Sequence, residues 1–212
     1  MALDEACLVC APAQGVYLRF YRWAGPAVTF GYSQAFALAE AAAQGRGLAG
    51  ADVVRRSTGG GVVFHDGDIT FSLCFPWPRI CSPERIYERI HAAVLEGLRQ
   101  EGVEAALWRP PAAAGRPRQA QCFTGPEPSD LVDGRGRKIL GGALRRRGAR
   151  GLYQGSLRLE GWTRRAELET NVTEALSRQW GEGMIREIET EWLRQAECLA
   201  DKYRSDAWNK RR

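Results

Sequence analysis

The chain has 212 residues, 44% hydrophobic and 26% charged, proportions that suit one globular unit with a single sizeable core. No apolar run approaches the roughly 20 residues of a membrane-spanning helix, and the acidic start Met1-Ala2-Leu3-Asp4-Glu5 lacks the basic head of a signal peptide, so a soluble, cytoplasmic protein is expected. The net charge of +5 is mild and gathers in Arg145-Arg146-Arg147-Gly148-Ala149-Arg150 and Lys210-Arg211-Arg212; neither run is accompanied by a nucleic-acid motif or an aromatic ladder, so neither nucleic acid nor membrane is expected as a partner.

Residues 1–9 place Met1, Leu3, Ala6, Cys7 and Val9 at helical spacing and predict a helix. Two strand-like runs follow, Val16–Trp23 and Ala27–Gly31, joined across Gly25-Pro26. The alanine-rich stretch from Ala35 to Gln44 reads as helix. Val53–Arg56 and Gly61–His65 read as strands flanking a glycine turn, and Asp68–Phe75 as a strand closed by Pro76-Trp77-Pro78. Ser82-Pro83-Glu84 opens a further helix, because serine caps, proline suits the first helical position and an acid suits the first turn. Its apolar face is Ile86, Ile90, Val94 and Leu98. Pro110 to Gln119 reads as a mobile loop. Leu131-Val132 and Lys138–Leu140 form a hairpin turned by Asp133–Gly136, Leu152–Leu157 is another strand, and the pattern is helical from Glu182 onward. Strands and helices interleave without regular βαβ alternation. The class is therefore α+β, a mixed, largely antiparallel sheet with flanking helices, divided into a main unit of residues 1–181 and a helical segment of residues 182–212 packed on it.

The chemistry concentrates in Arg55-Arg56-Ser57-Thr58-Gly59-Gly60-Gly61-Val62-Val63-Phe64-His65-Asp66. Consecutive glycines cost backbone entropy and are kept where side chains would block a close approach; the flanking charges point to a ligand. The loop lacks the Gly-Lys-Ser/Thr ending of a P-loop and the spacing of a dinucleotide fold. Adjacent strand residues face opposite ways, so at most one of Arg55 and Arg56 reaches the site. For the same reason His65 and Asp66 are poorly placed as a base and its orienter; His65 is expected to line the substrate and Asp66 to hold the local turn.

Six cysteines are scattered along the chain, and Cys7-x-x-Cys10 has no second pair, while His65 and His91 are the only histidines; no metal centre is expected. Cys122, after the proline-rich loop, is the candidate nucleophile, because catalytic residues favour loops held by a rigid scaffold. A nearby cation would favour its thiolate; Lys138 lies sixteen residues on, where a hairpin could fold it back, although by itself it reads as a surface lysine at a strand start. A Ser-His-Asp hydrolase is set aside for want of a Gly-x-Ser-x-Gly elbow.

Four segments together resemble the biotin/lipoate protein ligase superfamily, in particular octanoyltransferases of the LipM type. They are Met1–Ala6; Arg55–Gly61 through His65-Asp66; Cys122-Phe123 through Pro126, Leu131-Val132 and Gly136-Arg137-Lys138-Ile139-Leu140-Gly141; and Lys202–Asn209. The resemblance implies the ligase catalytic-domain fold for residues 1–181. It implies an acyl pocket lined by Arg56, Gly59, Gly60, Gly61, Val63 and His65 and by Gly141, Gly142, Ala143, Gln154 and Gly155, with Cys122 as nucleophile and Lys138 at the acyl carbonyl. Gln154 stands where relatives often carry histidine, and Gly142 where serine is common. The activity implied is transfer of an octanoyl group from acyl carrier protein to a lysine of a lipoyl domain or glycine-cleavage H protein, through a cysteine acyl-enzyme and without a cofactor. The alternatives are an ATP- and Mg-dependent lipoate-protein ligase, a lipoyl-domain amidotransferase and a non-catalytic acyl-binding protein.

Overall fold

The computed structural model describes residues 1–12, 14–110, 125–181 and 188–211. The chain runs α1 (Ala2–Cys10), β1 (Tyr17–Tyr21), β2 (Ala27–Phe30), α2 (Phe36–Gly45), β3 (Asp52–Arg55), β4 (Val63–His65), β5 (Ile69–Pro76), α3 (Pro83–Gln100), β6 (Ala105–Leu107), β7 (Leu131–Asp133), β8 (Lys138–Arg147), β9 (Arg150–Leu157), α4 (Arg165–Trp180), α5 (Thr190–Arg204) and α6 (Asp206–Asn209). A six-stranded sheet has the order β1-β5-β9-β8-β7-β6, every neighbouring pair antiparallel. A three-stranded sheet has the order β3-β2-β4, with β3 parallel and β4 antiparallel to β2. The class is the predicted α+β, largely antiparallel with flanking helices. Most of the predicted loop from Pro110 to Gln119 lies outside the described residues, as does the start of the helical pattern at Glu182.

The two strand-like runs joined across Gly25-Pro26 do not pair with each other. β1 joins the edge of the large sheet against β5, and β2 crosses to the centre of the small one. Likewise, the strands flanking the glycine turn, β3 and β4, are separated by β2. The chain therefore crosses between the two sheets twice, from β1 to β2 and back from β4 to β5, and the space between the sheets becomes the site.

Period-two alternation decides what each face of the large sheet carries. Phe71, Leu73 and Phe75 of β5, with Tyr153 and Leu157 of β9, pack against Ile86, Ile90, Val94 and Leu98 of α3 and Leu168 and Val172 of α4. Ser82 caps α3 by accepting from the Arg85 amide. Gly97 lets α4 approach α3 closely, since a Cβ there would sit 2.9 Å from the Val172 backbone nitrogen. The alternate residues Thr70, Ser72, Gln154 and Ser156 are buried too, but they are polar and face α1 and the small sheet. α2 seals the small sheet through Ala39 and Ala43 on Val28, Phe30 and Phe64.

The C-terminal segment is held by α5 on α1 and by Arg55. The Arg55 guanidinium is fully buried and donates to five backbone carbonyls, those of Tyr32, Gln34, Trp208, Asn209 and Arg211. Its own amide donates to Asn209 Oδ1 at 2.8 Å, and its carbonyl accepts from the Trp208 indole at 2.9 Å. Arg55→Met keeps the stem and removes every side-chain donor. Stranding those acceptors is expected to cost at least about 2–3 kcal/mol, read by urea unfolding, with Trp208 fluorescence reporting early release of α6.

Candidate active site

Between the sheets lies a cavity of about 30 Å³, room for one or two waters. The small sheet lines it with Thr29, Arg56, Val63 and His65; the large sheet supplies Tyr21, Thr70, Gly141, Gly142, Ala143, Gln154, Gly155 and Ser156, and Met1 of the α1 cap completes the wall. Of the residues expected at the pocket from sequence, Arg56, Val63, His65, Gly141, Gly142, Ala143, Gln154 and Gly155 therefore come together. Gly59, Gly60 and Gly61 do not line it. The Gly59 and Gly61 carbonyls turn inward to accept from Arg56 Nη2 at 2.9 Å each, and Gly60 adopts φ +86°. A Cβ on Gly31 would run into the Gly60 carbonyl, so Gly31 lets the loop's backbone come close, whereas a Cβ on Gly59 would meet nothing within 4 Å. Cys122 lies outside the described residues.

His65 is buried and stacked on Trp23 at 4.4 Å. Its Nδ1 sits 2.9 Å from Asp68 Oδ2, and its Nε2 2.8 Å from Thr29 Oγ1. The same Asp68 oxygen accepts from Ser156 at 2.6 Å and Thr70 at 3.0 Å. Burial would raise Asp68, but these hydrogen bonds, that from His65 foremost, hold its carboxyl below the ordinary range. Burial pushes His65 below its ordinary value against the pull of Asp68. A neutral His65 beside an ionised Asp68 carries its proton on Nδ1, so Nε2 accepts from Thr29. Thr29 Oγ1 in turn accepts from Arg56 Nη1 at 2.9 Å. The orienter of His65 is thus Asp68, three residues on across the Gly67 turn at φ +78°, while Asp66 is exposed.

A second network closes the other end. Gln154 donates to Asp4 Oδ2 at 2.6 Å and accepts from Thr58 at 2.7 Å. Asp4 also accepts from Ser72 at 2.6 Å and pairs with Arg19. Burial alone would raise Asp4; Arg19 and the Ser72 hydroxyl outweigh it and bring the carboxyl to about 2. A side-chain amide has one donor group and one acceptor, which Asp4 and Thr58 respectively use. The resemblance marks Met1–Ala6, but helical spacing carried no signal that Asp4, three residues into the chain's first helix, belongs to this layer.

Lys138 folds over Gly141, where a Cβ would lie 2.6 Å from its Nζ. Its ammonium pairs with Asp130 at 2.7 Å, the two side chains 4% and 8% exposed. Burial raises Asp130 to about 6, and Lys138 offsets only part of that. Asp130 Oδ2 also accepts from the Glu127 amide at 2.7 Å. His91 on α3 donates from Nδ1 to the Ser129 carbonyl at 2.5 Å and accepts at Nε2 from the Tyr153 hydroxyl at 2.7 Å; burial brings it down to about 4. The segment entering β7 is therefore tied at once to α3, to the sheet centre and to Lys138. Gly142 and Gly155 leave room for the Tyr153 ring, which a Cβ at either position would strike. Of the Arg145–Arg150 run, Arg146 and Arg147 are more exposed at the hairpin end, whereas Arg145 donates to the Ser57 carbonyl at 2.7 Å and Arg150 is buried against the Ala11 carbonyl, also at 2.7 Å.

Two sheets enclosing a small cavity, with a glycine-rich loop on one and a buried lysine on the other, form the fold of lipoate-protein ligases. The structure of lipoate-protein ligase A bound with ATP superposes with a TM-score of 0.79 at 21% identity, over 99% of this chain and 92% of that one. The chain belongs to the lipoyl protein ligase A/B catalytic domain family, whose model matches residues 1–180. Octanoyltransferase LipM of Macrococcus caseolyticus is 34% identical over 171 residues, 74% of this chain and 60% of that protein. Its counterpart from Moorella thermoacetica is 36% identical over 172 residues, 74% of this chain and 59% of that protein. The chain thus spans about 60% of the length of the curated relatives it matches.

The pKa of His91 sets a pH window. A folded value near 4 against about 6.5 unfolded means that its stabilising contribution is complete above about pH 6.5 and is lost as pH falls toward 4. Asp130, raised to about 6, runs the opposite way over the same interval. The stability of the protein relative to His91→Gln is therefore expected to fall by roughly 3 kcal/mol between pH 6.5 and 4, measured by denaturant unfolding of both at each pH.

Proposed function

We propose that this protein transfers an octanoyl group from a carrier-protein thioester to a lysine of a lipoyl domain, through an acyl-enzyme on Cys122. The observation that carries the reading is the buried Lys138–Asp130 pair beside Gly141 of the cavity, on a domain 34% identical to named octanoyltransferases. Asp130 holds the Glu127 amide as well as Lys138, which tethers the stretch just after Cys122 to the lysine. Cys122 and Glu127 are five positions apart in the chain, a span of at most about 18 Å.

In this reading the Lys138 cation favours the Cys122 thiolate. The thiolate attacks the octanoyl carbonyl carbon, the carrier's phosphopantetheine sulfur departs, and an octanoyl-cysteine thioester remains. The ε-amine of the acceptor lysine then displaces the cysteine sulfur and forms the amide. Exchange of one thioester for another is nearly balanced and thioester to amide runs downhill, so neither ATP nor a metal is needed. Backbone amides beside Lys138 suit the developing oxyanion, each such donor being worth about 3 kcal/mol of barrier. Eight carbons exceed the free space described, so the chain enters as lining side chains such as Met1 swing aside, favoured by about 0.8 kcal/mol per buried methylene. Both partners are typically acidic, and Arg146 and Arg147 suit their approach.

Intact mass after mixing with octanoyl-acyl carrier protein, without ATP, tests the proposal. A gain of one octanoyl group is expected, absent in Cys122→Ser. No adduct, together with modification of a lipoyl domain only when ATP and lipoate are supplied, would replace the reading with the ATP-dependent ligase.

A further inference from the structure

The transferase reading leaves one step without a catalyst. The acceptor lysine arrives as an ammonium, with an ordinary pKa of about 10.4, and must lose a proton before it can attack. Lys138 does not provide the lone pair, because its ammonium is ion-paired with Asp130 at 2.7 Å. Among the described side chains lining the cavity, His65 is the neutral nitrogen base; the Met1 α-amine, also lowered by burial, lies with Asp4 and Arg19 in the other network.

We propose that Thr29, His65 and Asp68 form a proton relay that deprotonates the incoming ε-ammonium, with the Thr29 hydroxyl as the group that meets the substrate. The inference rests on the acyl-transfer reading and adds a base to it. Asp68 fixes the tautomer by accepting from Nδ1 at 2.9 Å, leaving Nε2 to accept the Thr29 proton at 2.8 Å. Thr29 Oγ1 has two lone pairs; one accepts from Arg56 at 2.9 Å, and the other is left for a donor in the cavity that Thr29 lines. Arg56 also disfavours a second cation there. The charged and titratable groups around His65 are Asp68, Arg56 and Arg158, with the Tyr21 phenol in the same cavity and Arg165 of α4 on the Asp68 and Tyr21 carbonyls.

The ammonium proton passes to Thr29 Oγ1 as the hydroxyl's own proton passes to His65 Nε2, and Asp68 stabilises the resulting imidazolium. The neutral amine attacks the acyl carbonyl carbon. The C–N bond forms, the C–S bond breaks, and the second amine proton leaves on the cysteine sulfur as thiol. His65 returns its proton to water when the amide departs.

The test separates the two half-reactions. Each protein is loaded from octanoyl-acyl carrier protein and followed by intact mass, and the acyl-enzyme is then chased with a lipoyl domain between pH 7 and 9. In Thr29→Val, His65→Gln and Asp68→Asn the chase is expected to slow about 100-fold more than loading at pH 7. The deficit should shrink as pH rises and the free amine fraction grows, and Thr29→Ser should retain the fast chase. Equal loss in both half-reactions, a deficit independent of pH, or an undiminished chase would overturn the relay. A measurement on the unsubstituted protein stands apart from any folding defect: nitrogen NMR of His65 at pH 7 should show a proton on Nδ1 and none on Nε2, and the reverse tautomer or an imidazolium would overturn the assignment. No loading of the unsubstituted protein would instead overturn the transferase reading, and the relay with it.

Discussion

The guanidinium of Arg56 is the constraint on which the site depends. It lies buried beneath the glycine-rich loop and grips the Gly59 and Gly61 carbonyls from inside while donating to Thr29 on the neighbouring strand. A loop of three glycines has little intrinsic preference for one shape; tied at two carbonyls to a planar cation, it has one. The preceding residue does the opposite job by the same alternation of strand side chains. Arg55 leaves the other face of β3 and gathers the carbonyls of Tyr32, Gln34 and the α6 region. Two adjacent arginines thus bind the inner loop and the outer C-terminal segment to one short strand, and displacement of either would be felt by the other through the single peptide unit that joins them.

The cavity owes its polarity to the large sheet. Its outer face against α3 is aromatic and aliphatic, and the inner face of the same strands carries Thr70, Ser72, Gln154 and Ser156. Buried hydroxyls and amides are tolerated only with partners, and these find theirs on Asp68 and Asp4, one carboxylate at each end of the cavity. Asp68 collects the hydroxyls around His65; Asp4 collects those around Gln154. The space between is shaped by backbone and small side chains at Gly141, Ala143 and Gly155, so its walls are rigid where the carboxylates stand and spare between them.

Much of this was legible in the sequence. The strands from Asp68, Leu131 and Leu152 and the capped helix from Ser82 declare themselves by alternation, turn residues and an N-cap, all local signals. The division of Arg55 from Arg56 followed from period two alone. Pairing was not legible: β2 takes partners from segments on both sides of the glycine loop, and nothing local tells a strand after Gly25-Pro26 to leave its predecessor. Helix α4 was obscured by Thr170, Thr173 and Ser177, whose hydroxyls bond back to carbonyls four residues earlier and dilute the spacing of Leu168, Val172, Ala175 and Leu176. Asp68 was missed as the partner of His65 because the Gly67 turn brings position i+3, not i+1, under the imidazole. The basic run at Arg145–Arg150 reads as one patch, yet strand register buries Arg150 and turns Arg145 toward Ser57.

The charges that remain are sorted by what each can do with a proton. Lys138 is a cation held by Asp130, and such a group stabilises negative charge without taking a proton up. His65 is the reverse: neutral by burial, oriented by Asp68 and aimed at a hydroxyl. In the proposed reaction, a single residue serving both ends would have to be charged for the thiol and neutral for the amine at the same pH. Placing the cation at the start of β8 and the neutral base at the end of β4 removes that conflict, and the two sheets keep them apart. Each sheet contributes what its own packing makes cheap: the large sheet a lysine whose counterion lies on the adjoining loop, the small sheet an imidazole whose carboxylate sits just across a glycine turn. The chemistry of the cavity is therefore a consequence of its having two walls built by different strands, and a fold that merged them into one sheet would lose the separation before it lost the pocket.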